Sequence, residues 1–167
     1  RWKVVTPSEF PWEQEAFDFI RGQLPDADPY LALQGFNFVS HNGNIYEFDL
    51  LILTPVDLLL VAHKHNPGGL LRAPATWAWK HDGHPRSVDN PLTLANGKAK
   101  KLNSLLRRQK ALKEARSPFL EALIYCSAPG LQVELPEHAR KRVCVRDRDA
   151  SEGRDARPGI VAALSRG

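Results

Sequence analysis

The sequence predicts an α/β fold built on a mixed central β-sheet flanked by helices. Three features point to it: an amphipathic helix near the start, three strands in close succession, and a long helix followed by a further apolar strand. The second and third strands are nearly continuous apolar runs, as expected at the buried centre of a sheet.

The predicted helices follow from apolar periodicity. Ala16, Phe17 and Ile20 have helical spacing, with Ser8 as the expected N-cap and Pro11 in the first turn. The second helix is expected over residues 91–115, with lysines and arginines on its outer faces. Its apolar stripe consists of Leu94, Leu102, Leu105, Leu106 and Leu112. Strands are predicted at 31–40, 45–53, 58–64, 76–80, 120–126 and 143–145.

The composition is that of an ordinary globular protein. Of the 167 residues, 43% are hydrophobic and 25% charged, and the net charge of +4 permits a polyanionic partner without requiring one. Two cysteines without CxxC spacing indicate free thiols in a reducing cytoplasm. The longest apolar run is too short to cross a bilayer, so no membrane partner is expected. A start at Arg1 and the lack of methionine indicate a piece of a longer protein.

The residues that point to chemistry are Asp49, inside an apolar strand, and Lys64, at the end of the next strand. A short turn joins the two strands, so antiparallel pairing should bring both side chains to one edge of a hairpin. Metal-dependent phosphodiester hydrolysis needs this combination, because carboxylates and the substrate phosphate bind magnesium while a lysine steadies the water or the developing charge. A purely structural Asp49–Lys64 ion pair is the alternative.

Several short motifs follow one another in the first two-thirds of the chain. They are Pro11–Glu13, Leu24–Asp26, Glu47–Pro55, Leu60–Val61, Lys64, Pro67–Gly68, Asp89–Pro91 and Lys98–Leu102. In order and spacing they resemble the nuclease-related domain family, a branch of the PD-(D/E)xK nucleases. The resemblance is to the version that precedes a Ser/Thr kinase in phage-growth-limitation and BREX defence systems.

The resemblance implies a restriction-endonuclease-like core that cleaves DNA with Mg²⁺, or with Mn²⁺. Asp49 would bind the metal, Lys64 would be the catalytic lysine, and Glu13 would be the accessory glutamate. A plain helix-dipole role for Glu13 stays open. The basic side of the second helix would face the DNA backbone, although such lysines often form only a solvated surface. The candidate DNA contacts are Lys98, Lys101, Arg107 and Arg108.

One position departs from the family. The family carries a metal-binding glutamate two residues before the lysine, and this chain has Ala62 there. Residues 62 and 64 share a strand face, whereas His63 and His65 point away and do not replace the glutamate. Ala62 is either an engineered inactivating change or a natural loss that leaves a DNA-binding domain. The survival of the other site residues favours the first interpretation.

Two further patterns have minor functional interpretations. A zinc cluster would use His63, His65, His81 and His84, but no HExxH or paired CxxC motif supports it. Trp77 and Trp79 alternate on a strand, where core packing competes with base stacking.

Two functional hypotheses follow. The first is a magnesium-dependent DNA endonuclease domain of a bacterial phage-defence protein, disabled by Ala62. The second is a non-catalytic module that binds DNA and positions a downstream kinase. The expected partners are DNA, that kinase domain and other defence-system proteins, and a homodimer stays open. The nuclease-related core is expected over residues 1–128, and residues 129–167 are expected to form an extension toward a neighbouring domain.

Overall fold

The computed structural model describes residues 1–66, 69–72, 76–115, 117–152 and 157–166. Pro67 and Gly68, which belong to the motif series, lie outside these ranges. The strands are β1 (Trp2–Val4), β2 (Leu31–Val39), β3 (Ile45–Leu53), β4 (Asp57–Lys64), β5 (Gly69–Arg72), β6 (Thr76–His81), β7 (His84–Asp89), β8 (Phe119–Cys126), β9 (Gln132–Glu134) and β10 (Val143–Cys144). The helices are α1 (Pro11–Gln23), α2 (Pro91–Arg107), α3 (Glu137–Arg140) and α4 (Ile160–Leu164).

The predicted mixed sheet is confirmed. Six strands lie in the order β1-β2-β3-β4-β8-β10, with β2, β3 and β4 antiparallel and β4 parallel to β8. The parallel pairing of β4 and β8 follows from the long connection that contains α2, whereas short turns make the two hairpins. A second sheet has the order β7-β6-β5-β9. None of the helices in the described part of the chain is long and apolar enough to cross a membrane.

Each face of the six-stranded sheet is covered by its own apolar cluster. One cluster joins α1 and α4 to the sheet through residues such as Phe17, Ile20 and Ile160. The other joins α2 to the sheet and includes Trp77 and Trp79 of the second sheet. The base-stacking interpretation of these two tryptophans is therefore wrong, because they are only 1% and 4% exposed and pack in the core.

Part-way along β2, and again along β3, side chains two residues apart lie on opposite faces of the sheet. Gln34 on β2 reaches α1, where its Nε2 donates to Gln14 Oε1, but Phe36, two residues later, packs on the α2 side. On β3, Leu50 belongs to the α1 cluster and Phe48 to the α2 cluster. Residues two apart on a regular strand share a face, so the pleat must break between them.

The break falls at Gly35 and at Asp49, which is the position opposite it. The recorded register pairs Gln34 with Leu50 and Phe36 with Phe48, and it skips this pair. Gly35 has a φ of 64°, in the left-handed region, and a Cβ there would overlap the backbone carbonyl oxygen of Thr6. Only glycine satisfies both conditions, so Gly35 allows Asp49 to leave the regular pattern.

Helix ends differ from the sequence prediction. Phe10, not Ser8, is the N-cap of α1, since the Ser8 hydroxyl instead reaches Glu13. The α2 helix begins after Asn90, whose side chain accepts from two backbone N–H groups, and it ends at Arg107 instead of Ala115. The residues after Arg107 are good helix formers, but most of the stability of a helix in a protein comes from packing. The helix ends at Arg107 because the chain must turn there to enter β8.

The buried stripe of α2 also differs from the predicted one. Its buried side chains include Ala95, Ala99 and Leu102. Leu94, which the periodicity assigned to the core, is 54% exposed. Small alanines let α2 lie close to the sheet, and Leu94 is displaced to the edge of the contact.

The residues after 128 pack back on the sheet. β10 pairs with β8, and Ile160 and Leu164 of α4 are buried in the α1 cluster. Arg146, expected in a charged linker, is buried and pairs with Glu15 on α1. The Asp147 carboxylate accepts from the N–H groups of Val161 and Ala162 in the first turn of α4.

Gly35→Ala is expected to destabilise the fold by more than Gly43→Ala, the matched control. Both residues have positive φ, which costs an alanine about 1–2 kcal/mol, but only Gly35 also meets a backbone atom, since Gly43 has open space around it. Urea unfolding of the two variants measures the difference. Equal losses would show that the approach of Thr6 to Gly35 does not constrain the sheet.

Candidate active site and nucleic-acid cleft

The β3–β4 hairpin brings the predicted catalytic residues to one edge of the sheet. Its ladder runs from Leu53–Leu58 to Leu50–Val61 and stops there, so Asp49, Ala62 and Lys64 follow at its open end. The N-terminal part of α2 closes the other side and forms a cleft of about 430 Å³. Side chains that line the cleft include Asp49, Ala62, Lys64, Leu94, Lys98 and Lys101.

Asp49 is held by the backbone of the neighbouring strand. Its Oδ2 accepts a 2.8 Å hydrogen bond from the His63 N–H. In a regular β3–β4 ladder that N–H would donate to a backbone carbonyl of β3. Burial raises the pKa of Asp49, the His63 hydrogen bond opposes that rise, and the nearby Glu13 adds to it. Lys64 and Lys98 lower the pKa through space only.

The structure does not favour the ion-pair interpretation of Asp49 and Lys64. In the described part of the chain no salt bridge joins them, and the net shift of the Asp49 pKa is upward. A carboxylate that served mainly as an ion-pair partner would have its pKa lowered. Asp49 is thus an incompletely compensated negative charge at the edge of a cleft, which is a common property of functional sites.

Glu13 approaches the site from the α1 side. Its Oε1 accepts a 2.6 Å hydrogen bond from the Ser8 hydroxyl, and its Oε2 lies 3.5 Å from His63 Nδ1. Glu13 and Asp49 line a common cavity of about 330 Å³ on that face. Glu13 also lies in the first turn of α1, where the helix dipole stabilises a carboxylate, so both interpretations of this residue agree with its position.

Position 62 shares its face with Lys64, as the alternation of β4 predicts. Ala62 packs on the α2 side and lines the cleft, whereas His63 packs on the α1 side against Phe17 and Tyr125. Burial lowers the pKa of His63 to about 4, so this ring is neutral near pH 7. His63 therefore contacts the carboxylates from behind and does not enter the cleft.

The four histidines that could have formed a zinc cluster lie at two separate places. His63 and His65 share the hydroxyl of Ser127, whereas His81 and His84 pair across the β6–β7 hairpin of the second sheet. Over the described ranges, no group of three or more His, Cys, Asp or Glu side chains is arranged to hold a metal ion.

The four basic candidates of α2 separate into two pairs. Lys98 and Lys101 line the cleft, and the Lys98 Nζ donates a 2.7 Å hydrogen bond to the Glu47 carbonyl. Arg107 lies at the other end of the helix and lines a cavity beside the β3–β4 turn. Arg108 follows it as the C-cap residue. Lys98 and Lys101 are therefore the basic side chains of α2 that face the predicted catalytic residues.

The cysteines are free, as predicted, and both are buried. Burial raises the pKa of the Cys126 thiol to about 12 and also raises that of Cys144. Neither thiol forms the reactive thiolate near neutral pH.

Sequence analysis missed Ser127, the fully buried residue that follows β8 and joins His63 to His65. It also missed the role of Gly35. No local pattern marks either residue, because each acts through a chain segment that is distant in sequence.

Comparison with known proteins agrees with this geometry. Residues 8–127 match the nuclease-related domain family. The chain belongs to that family. It is also 36% identical over 144 residues to a Streptomyces coelicolor protein named probable kinase PglW. The match covers 86% of this chain but only 9% of that relative's length. No solved structure matches the chain significantly.

Asp49→Asn is expected to stabilise the free chain at neutral pH. The folded-state pKa of Asp49 is raised, so ionised Asp49 opposes folding above that pKa, and the penalty disappears as the pH falls to the unfolded value near 3.8. Asparagine still offers an oxygen to the His63 N–H. The free energy of unfolding should rise by more than about 0.5 kcal/mol, the usual limit for surface changes.

Glu47→Gln, an exposed carboxylate on the same strand, is the matched control and should change stability little. Chemical unfolding of both variants across acidic and neutral pH measures the effect. A loss of stability in Asp49→Asn at neutral pH would restore the structural ion-pair interpretation.

Proposed function

We propose that this domain is built for divalent-metal-dependent cleavage of DNA and that, in this chain, the site lacks its second carboxylate at position 62. The observation that supports this is the meeting of Asp49, residue 62 and Lys64 at the open end of one hairpin. Lys98 and Lys101 line the same cleft. Metal ligands, a cation beside them and further cations for phosphates are what phosphodiester hydrolysis requires.

The residues that remain have distinct roles in this proposal. Asp49 offers carboxylate oxygens, fixed in direction by the His63 N–H. Lys64 places a positive charge beside the attacking water or the phosphate oxygens, where it offsets negative charge that develops during reaction. Glu13 assists from the α1 side, and Lys98 and Lys101 hold the backbone of the DNA.

The donor set of this chain does not complete a metal site. Asp49 supplies a carboxylate, but Ala62 supplies no oxygen, and both oxygens of Glu13 already face Ser8 and His63. Magnesium requires near-octahedral oxygen coordination and is usually bound through one or two carboxylates and substrate phosphates. With a glutamate at 62, the ion would supply Lewis-acid activation of water and of the scissile phosphate.

The cleft has room for the missing side chain. Ala62 is half-buried and borders the cleft of about 430 Å³, so a longer side chain can extend into it. The face of β4 directs that side chain toward Lys64 and α2 and away from His63. Restoring the glutamate therefore changes the donor set without a change in the strand register.

Ala62→Glu is expected to convert this chain into a nuclease that needs magnesium or manganese. The unchanged chain and Ala62→Gln, which matches the size of glutamate but lacks its charge, should not cut. Supercoiled plasmid nicking with each ion, and with chelator, measures the result. Circular dichroism and unfolding of each variant show that position 62 tolerates the change.

Cleavage by Ala62→Glu alone supports the proposal. If no variant cuts with any divalent ion, the catalytic assignment fails. If the unchanged chain also cuts, the metal site has been assigned to the wrong residues.

A second candidate function is DNA binding without cleavage. It is favoured by the cleft that keeps Lys64, Lys98 and Lys101 but has no carboxylate at position 62. Binding through phosphate contacts does not need a complete metal site, and it weakens steeply with salt because counterions are released.

Lys98→Ala and Lys101→Ala are expected to weaken DNA binding and to reduce the slope of log affinity against log salt by about 1 each. Lys100→Ala is the matched control, since Lys100 has the same charge on the same helix but does not line the cleft. Fluorescence anisotropy with a labelled duplex at several salt concentrations measures the slopes. Equal effects at all three lysines would place the DNA elsewhere.

The larger protein is proposed to be a kinase-containing defence protein of bacteria. This rests on the likeness to probable kinase PglW, of which this chain spans about 9%. In that setting the domain would recognise or cut DNA, and the rest of the protein would carry the kinase activity.

A further inference from the structure

The geometry points to Ser127 as a positioning residue for the candidate site, one that fixes the ring of His63 and, through it, Glu13 beside Asp49. This deepens the proposed function and rests on it for its role in cleavage. The hydrogen-bond arrangement itself can be tested without any activity.

His63 connects the two carboxylates. Its backbone N–H donates to Asp49 Oδ2 at 2.8 Å, and its ring Nδ1 lies 3.5 Å from Glu13 Oε2. The ring is almost fully enclosed, since the side chain is 2% exposed, and it packs edge-on against Phe17 and Tyr125. A rotation or a change of tautomer of this ring therefore changes the atom that faces Glu13.

Ser127 contacts the far side of the same ring. Its hydroxyl lies 2.7 Å from His63 Nε2 and 2.9 Å from His65 Nδ1, and the residue is fully buried. A hydroxyl donates one proton and accepts others, so at most one of the two ring nitrogens receives the proton of Ser127. The other ring nitrogen must donate to the Ser127 oxygen.

Glu13 decides the direction of this chain of bonds. A carboxylate only accepts, and a bare Nδ1 would direct its lone pair at Glu13 Oε2, 3.5 Å away, so we place the ring proton on Nδ1. The neutral ring then has a bare Nε2, which accepts from the Ser127 hydroxyl. His65 consequently donates from Nδ1 to Ser127, so both rings carry a proton on Nδ1.

Backbone contacts hold Ser127 on two sides. Its N–H donates to the Lys64 carbonyl, at the end of the strand that carries His63, at 3.0 Å. Its carbonyl accepts from Arg146 Nε at 3.1 Å, and the Arg146 guanidinium pairs with Glu15 on α1, the helix that also carries Glu13. The serine is therefore tied to both elements whose relative position sets the Glu13–His63 contact.

The direct test is the tautomer of His63. Long-range ¹H–¹⁵N correlation spectra of the histidine-labelled chain near neutral pH distinguish protonated from bare ring nitrogens. We expect a protonated Nδ1 and a bare Nε2 on His63 in the unchanged chain. A bare Nδ1, or protons on both ring nitrogens, would overturn the inference, and this measurement needs no variant.

Ser127→Ala tests whether the serine causes that arrangement. Without the hydroxyl, the Nε2 of His63 loses its partner, so we expect the ring to lose its fixed orientation and its ¹⁵N signals to shift and broaden, while Glu13 still favours the proton on Nδ1. Ser117→Ala is the matched control, since the Ser117 hydroxyl is buried without a hydrogen-bond partner among the described residues. Unchanged His63 signals in a folded Ser127→Ala chain would assign the orientation to Glu13 alone and overturn the role of Ser127.

The functional consequence is measured in the Ala62→Glu background. Adding Ser127→Ala should weaken Mn²⁺ binding and slow plasmid nicking about 10–100-fold, as is usual when a residue that orients metal ligands is lost. Adding Ser117→Ala should change neither. No effect of Ser127→Ala on an active enzyme would contradict the positioning role. If Ala62→Glu does not cut, the proposed function fails, while the tautomer still decides the hydrogen-bond arrangement.

Discussion

The hydrogen bond from the His63 N–H to the Asp49 carboxylate is the contact on which the candidate site depends. A strand normally directs its N–H groups to the carbonyls of a neighbouring strand, and here one of them is taken by a side chain. This is possible because the β2–β3 pleat breaks at Asp49 and at Gly35 opposite it. Gly35 makes the break possible, since any side chain there would meet the Thr6 carbonyl oxygen, so the direction of Asp49 depends on a residue of the neighbouring strand.

The same contact leaves the protein with an electrostatic cost. Asp49 is half-buried beside Glu13, and the two lysines that lower its pKa do so through space. Asp49 thus holds negative charge at the site without full compensation, and this lowers the stability of the free chain. In this chain Asp49 lowers the stability although Ala62 supplies no second carboxylate.

The two faces of the sheet contribute different parts of the candidate site. The α2 face holds the cleft, which residue 62, Lys64, Lys98 and Lys101 line. The α1 face supports the site from behind, through Glu13, the His63 ring and Ser127. Because alternation along β4 sends neighbouring residues to opposite faces, replacing residue 62 changes the cleft while leaving the supporting network in place.

The sequence by itself determined the mixed sheet, the antiparallel hairpin, the meeting of Asp49 and Lys64, and the shared face of residues 62 and 64. These follow from apolar periodicity, a short turn and strand alternation, which are local properties of the chain. It also carried the motifs of the nuclease-related domain family, which the match over residues 8–127 confirmed.

Only the tertiary structure decided the rest. It ended α2 at Arg107, buried Trp77 and Trp79, and separated Arg107 from the cleft. It also joined Ser127 to His63, which lies 64 residues earlier in the chain. These outcomes depend on which segments pack against one another and on the left-handed backbone that Gly35 adopts. The spacing of residues along the chain predicts neither, because both involve segments that are distant in sequence.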